Sequence, residues 1–130
     1  MYHATTRDIR VQVEPTYLEE QSTPDENHFV WAYTIQIENQ GPETVRLQSR
    51  YWCITDSTGN VQEVKGNGVV GEQPVLQPGE WFKYTSGAPL PTPTGFVGGT
   101  YQMVTKTGES FDIKIPTFSL DSPYQDYNVH

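Results

Sequence analysis

An all-β sandwich of about seven strands is the fold class that this 130-residue sequence predicts. Three observations lead there. Aromatic residues make up 12% and charged residues only 18%, while 11 glycines and 10 prolines break the chain at short intervals. That is the profile of strands joined by turns, not of helices. In "HFVWAYTIQIENQG", Phe29, Trp31, Tyr33, Ile35 and Ile37 take five successive alternate positions, the period of an extended strand. Apolar runs of the same kind recur at regular spacing with turn signals between them.

Taken in order, Ile9, Val11 and Val13 alternate before Pro15 and give the first strand. "EEQSTPDENH", residues 19–28, is polar and reads as a loop. The run at 29–38 is the second strand, closed by the turn residues of "ENQGPE". "TVRLQSRYWCITD" is a long third strand carrying Val45, Leu47, Tyr51, Trp52 and Ile54, and "STGN" ends it. "VQEVK" is a short fourth, followed by a turn at "QPGE" with Pro78 and Gly79 at its centre. "WFKYTSG" places Phe82 and Tyr84 on one face of the fifth. "APLPTPTG" holds three prolines and is expected to be a connection excluded from a central ladder. "TYQMVTKTGESFDIKI" is a hairpin turning at Lys106–Glu109, with Tyr101 and Met103 on one arm and Phe111, Ile113 and Ile115 on the other.

One domain over 1–130 accounts for this length, with a core from about 7 to 120. The tail 121–130, "DSPYQDYNVH", has no periodicity and is expected to be flexible or to contact a partner. Sixteen acidic residues against eight basic ones give a formal charge of −8. Nucleic-acid binding, which depends on cations displacing counterions, is disfavoured, and so is an anionic membrane surface. The partner expected is another protein. Cys53 is the sole cysteine, expected buried and inert in "RYWCIT". "MYHATTRDIRVQVEP" has no apolar h-region, and no run approaches a membrane span. The expected compartment is the reducing cytoplasm.

"GNGVVG", residues 66–71, has the G-x-G-x-x-G spacing of dinucleotide loops. Such loops open a helix whose N-terminal amides hold the phosphates. Here "EQPVLQPGE" follows, and two prolines within five residues do not propagate a helix. Glycines at a strand end are the plainer reading; an anion nest formed by Gly66, Asn67, Gly68 and Gly71 is the alternative. Glu19, Glu20, Asp25, Glu26 and His28 are weak candidates for a hydrated divalent cation, against the simpler reading of a solvated loop. No cofactor is called for. No G-x-S-x-G elbow is present, and the three histidines are far apart in sequence. Trp31, Trp52, Trp81 and the many tyrosines exceed what one face of each strand needs; some supply core, and any cluster left exposed would mark an interaction patch.

"RYWCITDSTG", "VKGNGVVGEQPVLQPGE", "YTSG" before "TPTG", "GTYQM" and "IPTFSL" together closely resemble the ApaG family, also called the DUF525 domain, from about Arg7 to Leu120. Val97 in "GFVGGTY" stands where the family usually has Met, a change of one apolar side chain for another. The resemblance implies a fibronectin type III-like or immunoglobulin-like sandwich. It implies a bacterial cytoplasmic protein associated with cobalt and magnesium efflux, with no established biochemical activity. It further implies a non-enzymatic protein-interaction module, since the domain has that look within larger eukaryotic proteins. A pyrophosphate role proposed for the family's glycine motif would fall on Gly66, Gly68 and Gly71. A homodimer through an edge strand is a further expectation.

Overall fold

A computed structural model describes residues 1–124. Nine strands follow one another: β1 (Tyr2–Thr6), β2 (Ile9–Tyr17), β3 (Phe29–Asn39), β4 (Val45–Asp56), β5 (Val61–Asn67), β6 (Val75–Leu76), β7 (Trp81–Leu90), β8 (Thr94–Thr105) and β9 (Ser110–Asp121). Two antiparallel sheets form. One has the order β1-β2-β3-β7; the other runs β5-β4-β8-β9, with β6 also paired to β4. The molecule is a β-sandwich, as the alternation predicts.

The seven expected strands are all present. The two additions carry little apolar signal of their own. In β1 the alternate residues are Tyr2, Ala4 and Thr6, and it forms by pairing with β2 from Tyr2↔Val13 to Thr6↔Ile9. The two residues of β6 pair with Val45 and Arg46. The polar segment at 19–28 crosses between β2 and β3 as two single 3-10 turns, Glu19–Gln21 and Pro24–Glu26.

Burial of the inner faces holds the sandwich together. Phe29, Trp31, Ile35 and Ile37 of β3 meet Tyr101, Met103, Ile113, Ile115 and Phe118 from the opposite sheet in one cluster. Burying a side chain of this size contributes about 1.5–3 kcal/mol. The sheets are also pinned by a polar contact, as the hydroxyls of Tyr84 on β7 and Tyr101 on β8 lie 2.6 Å apart in the core. Burial pushes both phenols well above their ordinary range.

A bulge in β4 sets which of its side chains face inward, and proline placement sets where a connection falls. The β4–β8 register shifts between Leu47 and Ser49. The extra residue, Gln48, moves the inward phase from Val45 and Leu47 to Trp52 and Ile54. Tyr51 and Cys53 therefore share the outer face. Cys53 is only partly buried, which corrects the expectation of a buried thiol. The second irregularity is proline placement. The expected connection over "APLPTPTG" is shorter: β7 runs on through Pro89 to Leu90, and β8 starts at Thr94. Pro89 is accommodated because β7 is an edge strand.

The C-terminal stretch folds back on the first sheet. The Trp31 indole donates to the Asp121 carbonyl at 2.9 Å, Ser122 is buried, and the Tyr124 ring packs beside Tyr17 and Phe29. The expectation of a flexible or partner-contacting tail otherwise falls on residues 125–130, outside the described residues.

Candidate functional site

The glycine loop closes on itself. Val69 and Glu72 exchange two backbone hydrogen bonds, of 2.8 and 2.9 Å, around Val70 and Gly71. Both central residues have positive φ, 44° and 80°, the geometry of a type I′ turn. The Gly68 amide donates to the Gln48 carbonyl, and the Arg50 guanidinium donates to the carbonyls of Asn67 and Gly68 at 3.0 and 2.8 Å. A Cβ on Gly66 would sit 2.9 Å from that guanidinium, and one on Gly68 would overlap the Glu72 carbonyl oxygen. Each of these two glycines thus has a packing reason. The Gly68 amide is thus engaged by β4, and the Val69 and Glu72 amides are engaged across the turn. After Gly71 the chain goes on to β6, with no helix between.

The outer face of the second sheet carries a shallow cleft of about 750 Å³ lined by Ser49, Tyr51, Glu63, Lys65, Thr100 and Gln102 among others. Two pairs of its polar side chains are hydrogen-bonded to each other. Ser49 donates to Gln102 at 3.2 Å, and Tyr51 donates to the Glu63 carboxylate at 2.6 Å. The Lys65 ammonium lies 5.6 Å from the Tyr51 ring centre. The bond to Glu63 pushes the Tyr51 phenol up to about 12, so it stays protonated near neutrality. A phenol held this way is a poor general base.

The third feature is the edge of the first sheet. The β7 strand pairs with β3 from Phe29↔Leu90 to Glu38↔Trp81, and among the described residues no strand covers its other side. The opposite margin of the sandwich differs, since β9 packs against β1 and β2 there. The Asn39 amide donates to the Glu80 carbonyl at 2.9 Å. By the alternation of antiparallel pairs, Phe82, Tyr84, Ser86 and Ala88 bond to β3, and Trp81, Lys83, Thr85 and Gly87 turn their backbone groups outward. Pro89 shares that outward phase, so its missing N–H costs no ladder bond. Where this edge begins, Trp81 is 57% and Val75 of β6 56% exposed. They border one groove with Pro74, Glu80 and Phe82.

Comparison with known proteins gives the chain its place. The family model described as the ApaG domain (DUF525) matches residues 19–105. The chain belongs to the ApaG family. Protein ApaG of Parvibaculum lavamentivorans is 61% identical over 130 residues, covering all of both chains. Protein ApaG of Rhodospirillum centenum is 63% identical over 124 residues, 95% of each. A crystal structure of the ApaA protein from Bordetella pertussis superposes with a TM-score of 0.87 at 49% identity, over 92% of this chain and 97% of that one.

In this member of the ApaG family, the cation candidates are spread along an exposed crossing. Glu19 and Glu20 lie on the first 3-10 turn, Asp25 and Glu26 on the second, and His28 just after it. Glu19 accepts a hydrogen bond of 2.6 Å from Tyr124. Among the described residues, no three His, Cys, Asp or Glu side chains are grouped as a metal site would need. Val97 is buried at 2% exposure in the apolar core. Of the three tryptophans, Trp31 and Trp52 are core and Trp81 is not. Sequence reasoning left that open, yet a signal existed: Trp81 is out of phase with Phe82 and Tyr84, so it must face away from them.

Proposed function

We propose that this chain is a non-enzymatic interaction module whose working surface is the β7 side of the sandwich. The observation that carries the reading is a ten-residue strand with an open edge, beginning at a half-exposed tryptophan. Unpaired N–H and C=O groups on such an edge invite another chain, along the stretch that Pro89 ends. Tyrosine and tryptophan are also the side chains that anchor interfaces. The link to cobalt and magnesium efflux, implied by the family resemblance, is read here as an effect exerted through the partner, in the cytoplasm. The glycine loop is read as a structural clasp, because the Gly68, Val69 and Glu72 amides and the Asn67 and Gly68 carbonyls are engaged within the protein.

The test is site-specific photo-cross-linking in cells. A cross-linker at exposed Thr85 on β7 is expected to capture one protein species that a cross-linker at Lys114, on the outer face of β9, does not. The same species captured from both positions would defeat the reading. A parallel titration with ATP or GTP, with and without Mg²⁺, is expected to leave amide NMR shifts unchanged at millimolar ligand. Shifts confined to residues 65–72 would restore nucleotide binding in its place.

A further inference from the structure

One glycine has no use within the single chain. Of the 11 glycines, all within the described residues, every one but Gly87 either takes a positive φ or would crowd a neighbouring atom if it carried a Cβ. At Gly87 the backbone is ordinary strand, and a Cβ would meet only the Trp31 carbonyl oxygen at 3.6 Å, a normal contact. A glycine inside a strand weakens it, and it marks places where another group comes close to the backbone. Gly87 is exposed, and its neighbour across β3 is Ala32, so the outer face of the sheet is low there. Six residues earlier on the same face of β7 stands Trp81, with 57% of its surface exposed.

The usable edge of β7 fixes how these two residues meet. Trp81, Lys83, Thr85 and Gly87 turn their backbone groups outward, and Pro89, next in that phase, has no N–H to give. The midpoint of 81–87 is Tyr84. Resting on the reading of β7 as the working surface, we propose that its occupant is a second copy of this chain, laid antiparallel about a two-fold axis at Tyr84. Full use of the edge then pairs Trp81 with Gly87 and Lys83 with Thr85, each twice. Opposite residues share a face, so each indole rests on the bare backbone of the other copy's Gly87. The β1-β2-β3-β7 sheet becomes half of one continuous sheet. Lys83 is the only charged residue in the outward row, and it faces Thr85, with the second Lys83 on the diagonal. The formal charge of −8 on each copy acts at longer range and is screened by salt, so the dimer tightens as salt rises. An unrelated strand takes the same backbone bonds but leaves the indole without a seat unless it too has a small residue at the matching place. One strand and one tryptophan from each copy make an interface at the small end of the known range. A dissociation constant on the order of 10–100 µM follows, and the dilute chain keeps its edge open.

Sedimentation equilibrium on the full chain, from about 1 µM to about 1 mM, is expected to show monomer and dimer alone, with a tighter dimer at high salt than at low. Gly87→Thr fills the seat with a residue that strands favour. Its denaturant midpoint is expected to hold or rise while its dimer weakens at least about tenfold. Trp81→Ala, at an exposed position, is expected to weaken the dimer about tenfold as well. In a mixture of isotope-labelled and unlabelled chains, a photo-cross-linker in place of Lys83 is expected to join one to the other at residues 83–87. A chain that stays monomeric up to about 1 mM would overturn the proposal. So would a Gly87→Thr variant that dimerises as well as the natural chain, or cross-links that land outside β7. The module reading fails separately. If the chain stays monomeric while Thr85 in cells still captures one foreign protein, the dimer falls and the module stands. A product of twice the chain mass, from Thr85 and not from Lys114, supports both, and the same species from both positions removes the module.

Discussion

At Gly68 φ is +63° and an added methyl would overlap the Glu72 carbonyl oxygen; at Gly71 φ is +80° but nothing lies within 4 Å of the added atom. The two glycines of one motif therefore do different things. Gly68→Ala is expected to cost about 3 kcal/mol, combining a left-handed penalty with overpacking. Gly71→Ala is expected to cost about 1 kcal/mol, the backbone term alone. Denaturant midpoints of the two variants check the order, and equal losses would contradict a packing origin. Val70 is the converse case. A β-branched residue at φ 44° is strained, and this one exposes 54% of its surface at the turn tip. Val70→Asn, which puts Asn-Gly into the type I′ turn, is expected to raise stability by about 1 kcal/mol in the same measurement.

Among elements, β7 and β8 are joined through the core by the Tyr84 and Tyr101 hydroxyls. Either phenylalanine substitution leaves the other hydroxyl buried without a partner, at about 1–3 kcal/mol. The double variant Y84F/Y101F is expected to lose less than the sum of the two. Since burial raises both phenols, the unfolded chain releases these protons first, near pH 10. Their contribution is thus whole below pH 10 and lost as pH rises beyond it. Each phenol held neutral steepens the decline by about 1.4 kcal/mol per pH unit. Urea midpoints between pH 9 and 11 are expected to fall more steeply for the natural chain than for the double variant. How much of these elements could be read in the sequence follows from the same physics. The period-two runs of β3 and β7 announce themselves because one face must be apolar. The bulge at Gln48 is invisible until β8 sets the register, and β6 exists only because β4 pairs with it. The turn at "GNGVVG" was legible from the prolines that follow, whereas the clamp by Arg50, sixteen residues before Gly66, needed the fold.

For the whole molecule, the consequence is an asymmetry between two margins. On one side β9 packs against β1 and β2, and the Lys114 and Ser119 amides donate to the Thr6 and Tyr2 hydroxyls across the gap. On the other, β7 and β5 are the last strands of their sheets among the described residues. Hydrogen exchange can read this residue by residue. Along β7 the amides of Phe82, Tyr84, Ser86 and Ala88 point to β3 and are expected to exchange at least about a hundredfold more slowly than those of Lys83, Thr85 and Gly87. Along β9 the slow amides are expected to include Lys114 and Ser119, whose hydroxyl acceptors lie in the other sheet. Uniform protection along β7 would mean that the edge is already covered, and no strand could then be added there. An alternating pattern that becomes uniform when a partner segment is present would identify the surface as the one in use, because only backbone pairing on the open side silences the odd-numbered amides and leaves the even-numbered ones as they were.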